Sequence, residues 1–234
     1  MPQLAPQSID AIITDLPYGV TSGHWDSVIP LEDMWSQVDR VLKTNGAFIT
    51  TATNPFASIL IASKVKWYRH EWVWVKTHHS NFAHAKRQPL RKHELVLVFG
   101  REPVKYYPQM VKGKPLMKNI GKKVNRMRVP DIRSTGISQD LEAVLSDTYY
   151  PISPLYFNCV GRRSGGLHPT QKPVELYEYL VKTYTNPGDV VLDLAMGSGT
   201  TGEACINLNR KFIGIEKDEE YFARAQGRIE NAFA

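Results

Sequence analysis

The sequence predicts an α/β fold, a mostly parallel twisted sheet with helices on both faces. Three observations carry this reading. Short β-branched apolar runs alternate with amphipathic stretches of helical period. A glycine-rich turn follows one such run and opens a helix. The alternation breaks only over 101–153, so residues 1–100 and 154–234 read as one core domain carrying a basic insertion.

The elements follow in order. "IDAIIT" at 9–14 has the length and branching of a buried strand. Over 31–43, Leu31, Met34, Trp35, Val38, Val41 and Leu42 share a helical face, and Asn45-Gly46 supplies a stop. "GAFITTAT" (46–53) is a strand, and 55–65 a helix with Pro55 in its first turn. "EWVWVK" (71–76) and "ELVLVFG" (94–100) are strands, joined by a basic, His-rich loop over 77–94. The insertion 101–153 shows no clear helical or strand period and reads as partly irregular. Order resumes with a helix over 172–185 opened by Pro173, a strand over 189–196 and the turn "GSGTTG" entering a helix. A strand at 211–216 and a helix over 218–234, with acids in its first turn, end the chain.

The 234 residues carry a formal net charge of +6. That charge is concentrated: residues 101–133 hold ten Lys or Arg against two Asp or Glu. A local basic excess points to a polyanion, most commonly nucleic acid. Cys159 and Cys205 lie far apart with no C-x-x-C, which argues against a zinc site or a disulfide framework. The histidines have no metal-ligand spacing, so no metal is expected. The first ten residues lack the pattern of a secretory signal, and no apolar run approaches a membrane span. These features fit a reducing cytoplasm and no membrane partner.

"GSGTTG" places Gly197, Gly199 and Gly202 as G-x-G-x-x-G after a strand, and Glu216 ends the next strand about 20 residues on. That is the spacing of a nucleotide site in which an acid binds ribose hydroxyls. Only one strand and one helix follow Glu216, which leaves no room for the second half of a dinucleotide domain. An adenosine ligand without pyrophosphate fits better, such as S-adenosylmethionine.

"TDLPYG" at 14–19 also follows a strand end, and ligands of open α/β sheets bind at such ends. Its residue types suit methyl transfer to an exocyclic amine of a base. Such a nitrogen is a poor nucleophile, because its lone pair is delocalised into the ring. The Asp15 carboxylate and the Leu16 carbonyl can each accept one of its N–H bonds and stabilise the developing positive charge. Pro17 fixes the backbone that aims the carbonyl, and Tyr18 offers a ring on which an extruded base stacks.

Taken in order, "DLPY", "LHPTQKPVELYEYLV", "DLAMGSGTTG" and "FIGIE" resemble the motifs of the β-class DNA amino-methyltransferases, over residues 9–100 and 165–232. That class has a D-P-P-Y catalytic motif first, a target-recognition region next and the S-adenosylmethionine motif last. The resemblance implies a Rossmann-like methyltransferase fold with permuted motif order, S-adenosylmethionine as cofactor and double-stranded DNA as partner. It implies that Asp15, Leu16, Pro17 and Tyr18 form the amine site. It assigns Asp193, Ala195, Gly197, Ser198, Gly199, Thr200 and Thr201 to the cofactor, with Glu216 on the ribose. Thr170 and Lys172 close over the methionine end, while His168 steadies the turn before Pro169. The insertion falls where the family carries its DNA-reading segment. His78, His79, Lys86, Arg87, Arg91 and Lys92 of the loop, with Lys122, Lys123, Arg126 and Arg128 of the insertion, are the candidate DNA contacts.

Three departures stand out. Leu16 and the pair Leu194-Ala195 replace a proline and a proline-phenylalanine pair usual in the family. The chain also begins inside the helix that in relatives follows an upstream strand, so one strand is expected to be missing. Asp15 at the first motif position favours adenine N6 over cytosine N4. Cytosine C5 chemistry is not expected, because neither cysteine has a suitable setting. Alternatives are an N4-cytosine enzyme, an RNA methyltransferase or a catalytically impaired DNA-binding relative. A homodimer and a prokaryotic or phage-host cytoplasm complete the expectations.

Overall fold

A computed structural model describes residues 1–19, 29–121, 128–129, 132–133, 141–160 and 171–233, with side chains omitted over 115–145. In chain order the elements begin with β1 (Ile9–Thr14), α1 (Leu31–Val41), β2 (Leu42–Ala52), α2 (Phe56–Ser63), β3 (Tyr68–Ser80) and β4 (Arg91–Phe99). Next come β5 (Val111–Gly121), β6 (Arg128–Val129), β7 (Ile132–Arg133), β8 (Leu141–Tyr149) and β9 (Pro154–Tyr156). The chain continues with α3 (Val174–Tyr184), β10 (Val190–Asp193), α4 (Thr200–Asn207), β11 (Lys211–Gly214) and α5 (Glu219–Asn231). No described helix is long and apolar enough to cross a membrane.

The seven-stranded sheet has the order β11-β10-β1-β2-β4-β3-β9. Only β4 runs against the others, pairing antiparallel with β2 and β3. Alternating side chains divide the core between the two faces, as the strand period of two requires. On one face, Ile9, Ile12, Phe48, Leu97 and Phe99 meet Trp35 and Val38 of α1 and Phe56 and Leu60 of α2. On the other, Ala11, Ile13, Ile49, Val96 and Val98 meet Leu176, Leu180 and Tyr184 of α3 and Ala204 and Cys205 of α4. Cys205 is fully buried and its thiol is pushed far up by that burial, which removes it from nucleophilic chemistry.

Three local expectations change. Helix α1 runs directly into β2, so Asn45-Gly46 is not its stop. Gly46 instead lies within β2, where the β1 register shifts between Ile9 and Ala11. A Cβ there would come within 2.8 Å of the Asp10 carbonyl and 2.7 Å of Leu42, so the close approach of β1 requires glycine. The loop 77–94 contracts to 81–90, because β3 continues to Ser80 and β4 begins at Arg91. Polar Thr77, His78 and His79 form a strand end exposed to solvent, where apolar alternation is absent. Residues 1–8 form turns rather than a helix. The Arg40 guanidinium donates to the Leu4 and Met1 carbonyls at 2.6 and 2.8 Å and holds them there.

The basic insertion contains regular structure as well. Residues Pro108–Pro151 form a separate compact unit, built on the antiparallel pair β5–β8 running from Val111↔Tyr149 to Gly121↔Leu141. Strand β5 is rich in Lys and Gly and lacks clean apolar alternation, which hid it in the sequence. Residues 101–107 stay with the core. Lys105 N–H donates to the Asn45 carbonyl, and Tyr107 N–H to that of Thr183 at 2.7 Å.

Asp10 clamps the end of the sheet opposite the glycine-rich turn. It accepts from Lys43 Nζ at 2.8 Å, Lys105 Nζ at 3.2 Å and the Val190 N–H at 3.1 Å. Burial alone would raise its pKa, but the two ammoniums and the amide outweigh burial and lower it. An acid lowered in this way adds stability above its unfolded pKa near 3.8, and loses it as pH falls through the folded value. Replacing Asp10 by Ala orphans the Val190 amide and should cost about 2–3 kcal/mol in urea unfolding at pH 7. The deficit should shrink below pH 4, and a pH-independent deficit would contradict this account.

Candidate functional site

The parallel pairing of β1 with β10, Ala11↔Val191 and Ile12↔Leu192, brings two motifs 180 residues apart to one sheet end. Thr14 Oγ1 donates to Asp193 Oδ1 at 2.7 Å, and the Leu194 N–H donates back to Thr14 Oγ1 at 3.3 Å. Beyond these strand ends opens a cavity of about 770 Å³, within the range of small-molecule sites.

Asp15, Leu16, Pro17 and Tyr18 all line it. Tyr18 Oη donates to Asp15 Oδ1 at 2.7 Å and stands 3.0 Å from the Thr51 hydroxyl, which also donates to that oxygen. The Tyr18 ring stacks on Phe56 at 5.3 Å between centroids. Burial and the nearby Asp15 hold its phenol well above the ordinary range, hence neutral. The Leu16 side chain is buried in the core, which explains how an aliphatic residue is accommodated at that position.

The glycine-rich turn lines the same cavity. Asp193, Ala195, Gly197, Ser198, Thr200, Thr201 and Glu216 line the cavity. Gly199 does not; it adopts φ +78° and a Cβ there would sit 3.1 Å from Ala225 of α5, so it serves helix packing. Gly197, at φ +50°, leaves open space where a Cβ would project, presenting bare backbone to a ligand. Glu216 accepts the Gly197 N–H at 2.9 Å and the N–H groups of Lys217 and Asp218, which fixes the turn. Asp193 accepts from Thr14, from Thr201 at 2.5 Å and from the Ala195 N–H at 3.1 Å. Burial dominates these bonds and raises its pKa to about 6.

Lys172 lines the same cavity. Its Nζ lies 2.5 Å from Asp15 Oδ2 and 3.6 Å from Glu94 Oε2, with no described contact to the glycine-rich turn through that ammonium. Burial would lower its pKa, but Asp15 and Glu94 prevail and raise it. Glu94 Oε1 accepts from Lys76 at 2.8 Å. Burial pushes the Glu94 carboxyl up, yet Lys172 and Lys76 bring it below its ordinary value.

Of the expected DNA contacts, Arg91 reaches the cavity rim beside Ser80 and Asn81. His78, His79, Lys86, Arg87 and Lys92 are exposed on the adjoining strand ends and loop but do not line the cavity. Thr170, His168, Lys122, Lys123 and Arg126 lie outside the described residues, and the Arg128 side chain is not described.

Sequence reading missed several cavity residues. Trp74 and Lys76 alternate on β3, and Glu94 pairs with Trp74 across the β3–β4 ladder, so the strand period could have flagged them. Tyr177 lines the wall from α3. Arg228 of α5 donates to the Ser198 carbonyl at 3.1 Å and to Thr200 Oγ1 at 3.0 Å, anchoring the turn. No local pattern announces that role.

Comparison with known proteins supplies the context. A family model described as DNA methylase, the N6/N4 methyltransferase model, matches residues 9–227. The chain is 27% identical to the Type II methyltransferase M.HpaI of Haemophilus parainfluenzae, over 98% of this chain and 71% of that protein. It is 26% identical to the Type II methyltransferase M2.DpnII of Streptococcus pneumoniae, over 97% and 85%. The crystal structure of an M1.HpyAVI–SAM complex superposes with TM-score 0.60 at 26% identity, over 97% of this chain and 90% of that one. The cytosine-N4-specific PvuII DNA methyltransferase shares the fold, with TM-score 0.64 at 16% identity, over 99% and 86%.

Asp193 gives this site a pH dependence. An acid raised to about 6 from an ordinary 3.8 contributes stability fully present below about pH 4 and lost as pH rises through 6. Melting of the ligand-free protein between pH 4 and 7.5 should show this component, and Asp193→Asn should remove it. An identical pH profile in both proteins would contradict the assignment.

Proposed function

Because the chain belongs to the N6/N4 DNA methylase family, whose members are S-adenosylmethionine-dependent DNA amino-methyltransferases, we propose that it methylates the exocyclic N6 amine of adenine in double-stranded DNA. The observation that carries this reading is one cavity lined by Asp15 and Tyr18 together with Gly197 and Glu216. The bare backbone at Gly197, the Glu216 carboxylate and the cavity's size suit S-adenosylmethionine. Bound there, it supplies an electrophilic sulfonium methyl, the carbon–sulfur bonding pair staying on sulfur.

The chain's own groups do the rest. Asp15 Oδ2 and the Leu16 carbonyl accept the two amine hydrogens, which holds the nitrogen lone pair toward the methyl donor and spreads the positive charge that develops. The surplus proton passes from nitrogen to the Asp15 carboxylate and on to solvent. The Tyr18 ring, fixed through its hydroxyl and Phe56, stacks the extruded base. Asp193, Ser198, Thr200 and Thr201 shape the cofactor wall. Arg91, with exposed His78, His79, Lys86, Arg87 and Lys92, receives the DNA backbone at the rim. The Pro108–Pro151 unit carries the basic target-recognition segment, including Lys122, Lys123, Arg126 and Arg128. Asp15 at the head of the motif favours adenine over cytosine N4.

Incubation with unmethylated duplex DNA and S-adenosylmethionine, then nucleoside mass spectrometry, tests the reading. N6-methyladenine is expected, and Asp15→Ala should lower its formation by at least about a thousandfold while cofactor binding persists. N4-methylcytosine alone would overturn the adenine assignment, and undiminished activity in the variant would overturn the role of Asp15.

A further inference from the structure

Resting on that reading, we propose that Lys172 is a two-position cation. It rests on Asp15 in the free enzyme and shifts onto Glu94 when a substrate amine takes Asp15, so that Lys172 and Glu94 are positioning residues for amine capture.

The geometry is specific. Asp15 Oδ1 already accepts from the hydroxyls of Tyr18 and Thr51. Oδ2 is the remaining oxygen, and the Lys172 ammonium occupies it at 2.5 Å. A carboxylate offers about four lone-pair positions, so the incoming N–H must use Oδ2 beside a cation held there. A lysine kept in place would repel the charge developing on the amine nitrogen and hold down the proton affinity of Asp15.

The same cluster provides a destination. Glu94 Oε1 is satisfied by Lys76, but Oε2 is buried with no hydrogen-bond partner among the described residues. It lies 3.6 Å from Lys172 Nζ, within ion-pair reach but too long for a hydrogen bond. A buried carboxylate oxygen without a partner is costly to maintain. A displacement of Nζ by less than about 1 Å would satisfy it at hydrogen-bond length. At rest the ammonium bonds to Asp15 and lies 5.9 Å from the centre of the Tyr18 ring, with Glu94 waiting as a second anion, all lining the cavity. Its move leaves Asp15 free to take an amine hydrogen and then the surplus proton. The cluster of Asp15, Glu94, Lys76 and Lys172 stays neutral overall until that proton arrives.

Glu94→Gln keeps the shape and removes the anion. Wild-type product formation on duplex DNA comes first, since its absence would sink the functional reading and not this inference alone. Given an active wild type, Glu94→Gln should lower kcat at least about tenfold, with S-adenosylmethionine Kd unchanged within about twofold. Adding Lys172→Met should then raise kcat above that of Glu94→Gln alone, because the stranded cation is gone. A kcat for Glu94→Gln near that of wild type, or a double variant slower than it, would overturn the inference. Independently of variant folding, a crystal structure of the wild type with duplex DNA and sinefungin should show Lys172 Nζ bonded to Glu94 and withdrawn from Asp15. The ammonium still seated on Asp15 beside a bound amine would overturn it as well.

Discussion

The parallel pairing of β1 with β10 is the constraint on which the rest of this structure depends. It is fixed at both ends by buried carboxylates, Asp10 gripping the Val190 amide and Asp193 gripping the Thr14 hydroxyl. A slip of one residue would turn each strand's side chains to the wrong face. It would also carry "DLPY" away from "GSGTTG". The energetic cost of burying Asp193 is therefore spent on registering two chain segments whose chemistry works only in combination.

From that registration the site assembles in layers. The strand ends present Asp15 and the glycine-rich turn, and flanking helices immobilise both. Phe56 of α2 backs the Tyr18 ring, while Arg228 of α5 ties down Ser198 and Thr200. Strands β3 and β4 add a charged floor of Lys76 and Glu94, reached by Lys172 at the approach to α3. The floor alternates sign, which keeps four buried or half-buried charges tolerable in one cavity. Rigidity on both walls suits a reaction whose catalysis rests on orientation rather than on a covalent intermediate.

Legibility in the sequence tracked how local each signal was. The strand at 9–14 was readable from its length and β-branched run, and the turn "GSGTTG" and the acid at 216 from their spacing along one βαβ unit. "DLPY" was readable because one task explains each of its residue types. The ends of β3 and β4 were hidden, since solvent-exposed strand ends such as Thr77–His79 need no apolar alternation. Strand β5 was hidden by its Lys- and Gly-rich composition. The pairing of the Lys172 ammonium with Asp15 spans 157 positions and so lies beyond any local pattern. Arg228 likewise acts across a tertiary contact that no window of sequence contains.

In the proposed function the extruded base lies against Tyr18 in the same cavity that takes the cofactor. Photo-crosslinking tests it most directly, using duplex DNA with 5-iodouracil at the target position and sinefungin present, followed by peptide mapping. A crosslink to Tyr18 is expected, abolished by Tyr18→Ala and weakened without sinefungin. A crosslink confined to the 81–90 connection or to the Pro108–Pro151 unit, with Tyr18 unmodified, would contradict it.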